Sequence, residues 1–90
     1  MKKVRAIVSG RVQGVWYRAH TREQAVALGI VGFVRNLPDG TVEIVAQGED
    51  AQVDTMMDWA RIGPRMAEVT EVRVREMAED EEFDSFEVVP

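Results

Sequence analysis

Two stretches of this chain carry groups able to hold a small anion and a water molecule. In Gly10-Arg11-Val12-Gln13-Gly14-Val15-Trp16-Tyr17-Arg18, two glycines four positions apart lie between an alternating apolar run and a helical pattern. Glycine at such a junction permits positive φ and lets backbone amides converge. The first amides of a helix lack intrahelical partners and carry the positive end of its dipole. The amides of Gln13, Gly14, Val15, Trp16, Tyr17 and Arg18 are therefore a candidate cradle for a phosphate-sized oxyanion. Arg18 adds a permanent planar cation that can pair with phosphate through two parallel bonds. An ordinary strand-to-helix turn with a surface arginine gives the same local pattern, because glycine-bearing turns are common. Asn36 offers a neutral carboxamide, donor and acceptor together, able to hold a water without titrating.

The missing patterns narrow the chemistry. A nucleotide-type phosphate loop needs lysine and serine or threonine after its second glycine, and here Gly14 is followed by Val15. With no cysteine there is no thiolate nucleophile and no zinc–sulfur site. No D-x-D pair or helical His/Glu set suggests a metal, so neither metal nor cofactor is expected. His20, the single histidine, is either a base near Arg18 or an exposed first-turn residue. Phosphoryl transfer asks mainly for positioning and electrostatic stabilisation, so these parts suffice for a good leaving group. A phosphate monoester would need more help.

The elements that must position these groups follow from periodicity. Val4 to Ser9 reads as a strand, with Ile7 making both faces apolar and so placing it centrally. Tyr17, Thr21, Ala25 and Leu28 fall at helical spacing, and Gly29 stops the helix. Ile30 to Asn36 is a second strand, and Leu37-Pro38-Asp39-Gly40 a turn into a third, Thr41 to Gln47. After Gly48-Glu49-Asp50, Val53, Met56, Met57 and Ala60 form the stripe of an amphipathic helix that Gly63-Pro64 ends. Glu68 to Met77 is a fourth strand, and Val69, out of phase with Val72 and Val74, predicts a bulge near Thr70-Glu71. Phe86 and Val88 suggest a short last strand.

The order β-α-β-β-α-β predicts an α+β, ferredoxin-like fold: an antiparallel sheet with two helices on one face and a short extra C-terminal strand. Strands one and two must then run parallel through a right-handed crossover. Their C-terminal ends share one edge, which carries Asn36 to the loop ending at Arg18; Gly63-Pro64-Arg65 should arrive there too.

Ninety residues suit one domain, 1–90. A hydrophobic share of 46% with 30% charged residues is that of a folded globular chain. The net charge of −5 argues against nucleic acid as a partner. Charge is uneven, however: Lys2, Lys3, Arg5, Arg11, Arg18, Arg22 and Arg35 crowd the first third, opposed only by Glu23. The acidic run Glu79-Asp80-Glu81-Glu82 reads as a solvated turn. No signal-peptide pattern follows Met1-Lys2-Lys3, and no apolar run is long enough to span a bilayer. The expected location is the cytoplasm, which the lack of cysteine suits.

Three linked blocks carry a resemblance: G-R-V-Q-G-V-W-Y-R-A-H-T at Gly10–Thr21, A-L-G-I-V-G-F-V-R-N at Ala27–Asn36 and D-G-T-V-E at Asp39–Glu43. Together they resemble the acylphosphatase family. Trp16-Tyr17 stands where the family often has other aromatic or apolar residues, and Phe33 where tryptophan is common. The resemblance implies hydrolysis of the carboxyl-phosphate bond of acyl phosphates to a carboxylate and inorganic phosphate. By the family's pattern Arg18 binds the phosphate and Asn36 positions the attacking water, without a covalent phosphoenzyme or a metal. The expected protein is a free-standing monomer acting on a small molecule, since Met1 opens the chain and it stops near the family's usual end. Rival readings are a non-catalytic anion-sensing module on the same fold, an RNA-recognition domain, and the front domain of a larger carbamoyl-transfer protein.

Overall fold

The computed structural model describes residues 1–78 and 82–90. The predicted elements appear in the predicted order: β1 (Lys2–Arg11), α1 (Tyr17–Leu28), β2 (Val31–Asn36), β3 (Val42–Gly48), α2 (Asp50–Ile62), β4 (Glu68–Glu76) and β5 (Phe86–Val88). The sheet order is β4-β1-β3-β2-β5, so β1 is internal as its two apolar faces require. Both β1 and β2 pair antiparallel with β3, and they therefore run parallel to each other. The sheet is mixed rather than wholly antiparallel, because β5 pairs in parallel with β2, Val34 opposite Val88. The expected solvated turn at Glu79-Asp80-Glu81 lies outside the described residues; Glu82 is exposed.

Alternation sends Val4, Ala6, Val8, Val34, Val42 and Ile44 to one face of the sheet, where they are buried with Tyr17 and Ala25 of α1 and Val53, Met56, Met57 and Ala60 of α2. Both helices thus cover the same face. The stripe predicted for α2 is its buried stripe, as amphipathic spacing demands. Gly29, in left-handed conformation, ends α1 and donates to Ala25 and Val26.

The bulge expected in β4 is present. Ser9 faces Glu71 and Gly10 faces Val69, which leaves Thr70 as the extra residue. That insertion lets Val69 and Val72 both pack against the core despite their odd separation. It also explains Gly10, which belongs to β1 and not to the loop. A Cβ on Gly10 would lie 2.1 Å from the Glu68 carbonyl oxygen, at a φ of +119°. The first glycine therefore serves close strand approach.

The helix-free face holds a charged cluster. Glu43, in the middle strand, is only 4% exposed. It accepts from Arg5 Nε and Arg35 Nε, each at 2.5 Å. On the same face Phe33 meets Phe83 edge-on at 6.0 Å, and Lys3 Nζ lies 5.2 Å from the centre of the Phe83 ring. Burial by itself would raise the Glu43 carboxyl, but hydrogen bonds from Arg5 and Arg35 and their charges outweigh it and hold it below its ordinary value of 4.5. The unfolded chain returns the carboxyl to that ordinary value. The cluster therefore stabilises the fold fully above about pH 4.5, and less as pH falls through the lower folded value. Glu43→Gln should cost about 2 kcal/mol at neutral pH. It should also flatten the loss of stability between about pH 5 and pH 2. Urea unfolding across that range checks both; an unchanged acid limb would remove Glu43 as its source.

Candidate active site

The loop between β1 and α1 is built by alternation between core and solvent. Val12, Val15 and Tyr17 are buried, whereas Gly14 and Trp16 face outward. Gly14 has φ +75° with nothing within 4 Å of an added Cβ, so its conformation and not crowding selects glycine. Trp16 also takes left-handed values, φ 65° and ψ 17°, at the N-cap of α1. An N-cap residue usually sits in the extended region and caps the helix with its side chain. Trp16 does neither and makes no cap bond.

Successive amides beside left-handed residues point into one concavity, the geometry of an anion nest. Among the described residues, none of the amides from Gly14 to Arg18 meets a backbone acceptor; the first helical bond donates from His20 to the Trp16 carbonyl, at 3.1 Å. Val15 and Tyr17 can contribute here only through their backbones, since their side chains are in the core. The Tyr17 hydroxyl donates to the Ala60 carbonyl at 2.8 Å, and burial pushes its phenol well above its ordinary range. Gly63, beyond the end of α2, packs against the Tyr17 ring, where an added Cβ would lie 3.0 Å from Cε2. The end of α2 thus reaches the start of α1, as the topology predicts.

Beside the loop is a cavity of about 370 Å³, with walls that include Gly14, Trp16, Arg18, Ala19 and Val88. Arg18 is its charged lining residue, half-buried. The basic crowding of the first third resolves into local pairs elsewhere. Lys2 meets Asp54, and Arg5 and Arg35 share Glu43. Arg22 donates to the Phe86 carbonyl. Among the described residues Arg18 has no ion-pair partner, and neither has Arg11, which is exposed. His20 is exposed and pairs with Glu23 at 3.8 Å, the surface alternative of the two readings of that residue.

Asn36 closes β2 opposite Val42, whose other neighbour is Val8 of β1. It does not line the cavity. Its Oδ1 is buried with no hydrogen-bond partner among the described residues, an acceptor that water can satisfy. What joins its hairpin to the loop is Gln13. The Gln13 Nε2 donates to the carbonyls of Leu37 and Thr41, each at 2.9 Å. Leu37 follows Asn36 directly, and its own amide donates to the same Thr41 carbonyl at 2.9 Å. Gln13 therefore acts through its side chain as a staple, a use that its place in the loop did not signal. Val88 is likewise a wall residue that sequence reasoning left out of the site. Its alternation with Phe86 marked a strand, but nothing local showed which cavity that strand would flank.

Comparison with known proteins identifies the family and the fold. The Acylphosphatase family model matches residues 4–88. An acylphosphatase of Methylococcus capsulatus is 54% identical over 89 residues, covering 99% of this chain and 97% of that protein. One from Acaryochloris marina is 51% identical, covering 96% of this chain and 91% of its own. The crystal structure of acylphosphatase from Bacillus subtilis superposes with a TM-score of 0.96 at 33% identity, and each chain is covered completely.

Removing the staple is a direct test of how the two halves are held. Gln13→Ala loses two hydrogen bonds and should lower stability by about 1–2 kcal/mol. Because it frees the hairpin that follows Asn36, turnover should fall further than phosphate affinity. Parallel urea titration and inhibition by inorganic phosphate would show the split, and equal losses in both would reduce Gln13 to a stability role.

Proposed function

This chain belongs to the acylphosphatase family, enzymes that hydrolyse acyl phosphates, and we propose that the loop ending at Arg18 and the hairpin beginning at Asn36 carry that reaction here. The observation that carries the reading is the state of the loop: among the described residues, a run of amides without backbone acceptors beside a half-buried arginine without a counter-ion. In this reading the amides from Gln13 to Arg18 and the Arg18 guanidinium bind the non-bridging phosphate oxygens. They also stabilise the charge that grows on them in the transition state. Asn36 holds a water through the carboxamide whose oxygen is otherwise unpaired. That water attacks phosphorus in line with the departing carboxylate. The O–P bond to water forms as the bond to the acyl oxygen breaks, giving a carboxylate and inorganic phosphate. In this scheme a phosphate oxygen of the substrate takes the water's proton.

An acyl phosphate leaves as a stabilised carboxylate, so no acid is needed at the leaving group. This is what makes so small a set of groups sufficient. No metal or cofactor is assigned. The reading takes residues 1–90 as one catalytic domain, monomeric and cytoplasmic, with no nucleic acid as partner. No helix among the described residues is long and apolar enough to cross a membrane.

Arg18→Ala and Asn36→Ala should each fold and each lose about 10²–10³ in turnover. Only the first should also abolish competitive inhibition by inorganic phosphate. Arg18→Lys should fail as well, because a point charge cannot reproduce the planar fork. Phosphate release from acetyl and benzoyl phosphate, set beside a phosphate monoester and ATP, tests the reaction class. Retained turnover in either alanine variant would refute that residue's role, and activity lost to a chelator would refute the metal-free scheme.

A further inference from the structure

Trp16 is an expensive residue for this fold. It is 75% exposed and holds a left-handed conformation that bulky side chains rarely adopt. The ring makes no aromatic contact among the described residues, whereas Tyr17, beside it, packs on Trp59 at 5.6 Å. An exposed indole in a strained backbone contributes little to stability, so its placement calls for another explanation. It lines the cavity that contains Arg18, and the remaining wall is supplied largely by Val12, Ala19 and Val88.

The size of that cavity is informative. Its volume of about 370 Å³ equals on the order of twelve water volumes of about 30 Å³ each. A phosphate group held by Arg18 and the loop amides would occupy a small part of it. The rest is bounded by apolar residues, Val12, Ala19 and Val88, and by Trp16. Val88 reaches it because β5 pairs with β2, Phe86 opposite Gly32 and Val88 opposite Val34. Phe86 is buried in the core, and Val88, two residues on, continues the same face out to the cavity at 41% exposure.

We propose that Trp16 and Val88 form an acyl-group subsite, which selects acyl phosphates bearing a planar aromatic acyl group over those bearing a small aliphatic one. This rests on the reading of Arg18 and the loop amides as the phosphate site. The acyl carbon lies next to the phosphate in any such substrate, so its substituent must enter the space beside Arg18. A phenyl ring there stacks on the indole face and is flanked by the Val88 methyls, while an acetyl group leaves most of that surface wet. Trp16 therefore has two separable parts: its amide belongs to the anion cradle, and its ring sets preference.

The test is the ratio of kcat/KM for benzoyl phosphate to that for acetyl phosphate, measured on the whole chain. Stacking on one indole should make the ratio fall about 3- to 10-fold in Trp16→Ala. Trp16→Phe, which keeps a flat ring, should retain most of it. Val88→Ala should lower the ratio in the same direction while leaving inhibition by inorganic phosphate unchanged, and it tests the subsite without touching the loop. A ratio insensitive to both Trp16→Ala and Val88→Ala would overturn the subsite while acyl phosphate hydrolysis stood. Failure of the unaltered protein to hydrolyse either compound would instead overturn the reading on which the subsite rests.

Discussion

The hydrogen bond from the Tyr17 hydroxyl to the Ala60 carbonyl ties the helical layer to the loop between β1 and α1. It joins the first residue of α1 to the last turn of α2, and the ring around it is in the core. Burying an aromatic side chain of this kind contributes on the order of 2–3 kcal/mol. A left-handed non-glycine residue costs of order 1–3 kcal/mol. The two are comparable, so the anchoring of Tyr17 is large enough to hold Trp16, its immediate neighbour, in a conformation it would not otherwise keep. Exposed amides follow from that imposed geometry.

Electrostatics then sets Arg18 apart from the cations that are held in ion pairs. The protein is acidic as a whole, yet some of its carboxylates are held by particular cations. Glu43 absorbs Arg5 and Arg35 on the helix-free face, and Asp54 takes Lys2. Among the described residues Arg18 has no counter-ion, and it lines a concave site, where low-dielectric walls concentrate a charge's field. A net negative chain can in this way keep a locally positive patch.

Much of this was legible from residue order. Alternation in β1, β2 and β3 and the i, i+3, i+4, i+7 stripe of α2 follow from packing one face of each element into the shared core, so they appear in the sequence directly. Even the β4 bulge could be read, because Val69 breaks the phase of Val72. The loop was located correctly, but Gly10 was given to it when it belongs to the strand contact with Glu68. That contact pairs residues almost sixty positions apart and has no local signature. Gln13 shows the same gap: its amide suggested a cradle, while its side chain reaches across to Leu37 and Thr41. The burial of Glu43 was hidden because an acidic residue in an alternating strand looks like solvent-facing surface until both arginines are seen to close over it. Val88 joined the cavity only through parallel pairing of the last strand, which made the sheet mixed.

The sheet has two free edges, and they are blunted by different means. An open edge is a row of unpaired donors and acceptors that invites another strand to add. At one side β4 is nine residues long, but Glu71, Arg73, Arg75 and Glu76 stud it with charge, and Thr70 interrupts its ladder. At the other side β5 is three residues long, and Pro90, two positions beyond it, has no amide to offer. The insertion that seats Gly10 against Glu68 therefore has a second consequence. An inserted residue of this kind bends and twists the strand that carries it, away from the flat geometry that edge-to-edge pairing requires.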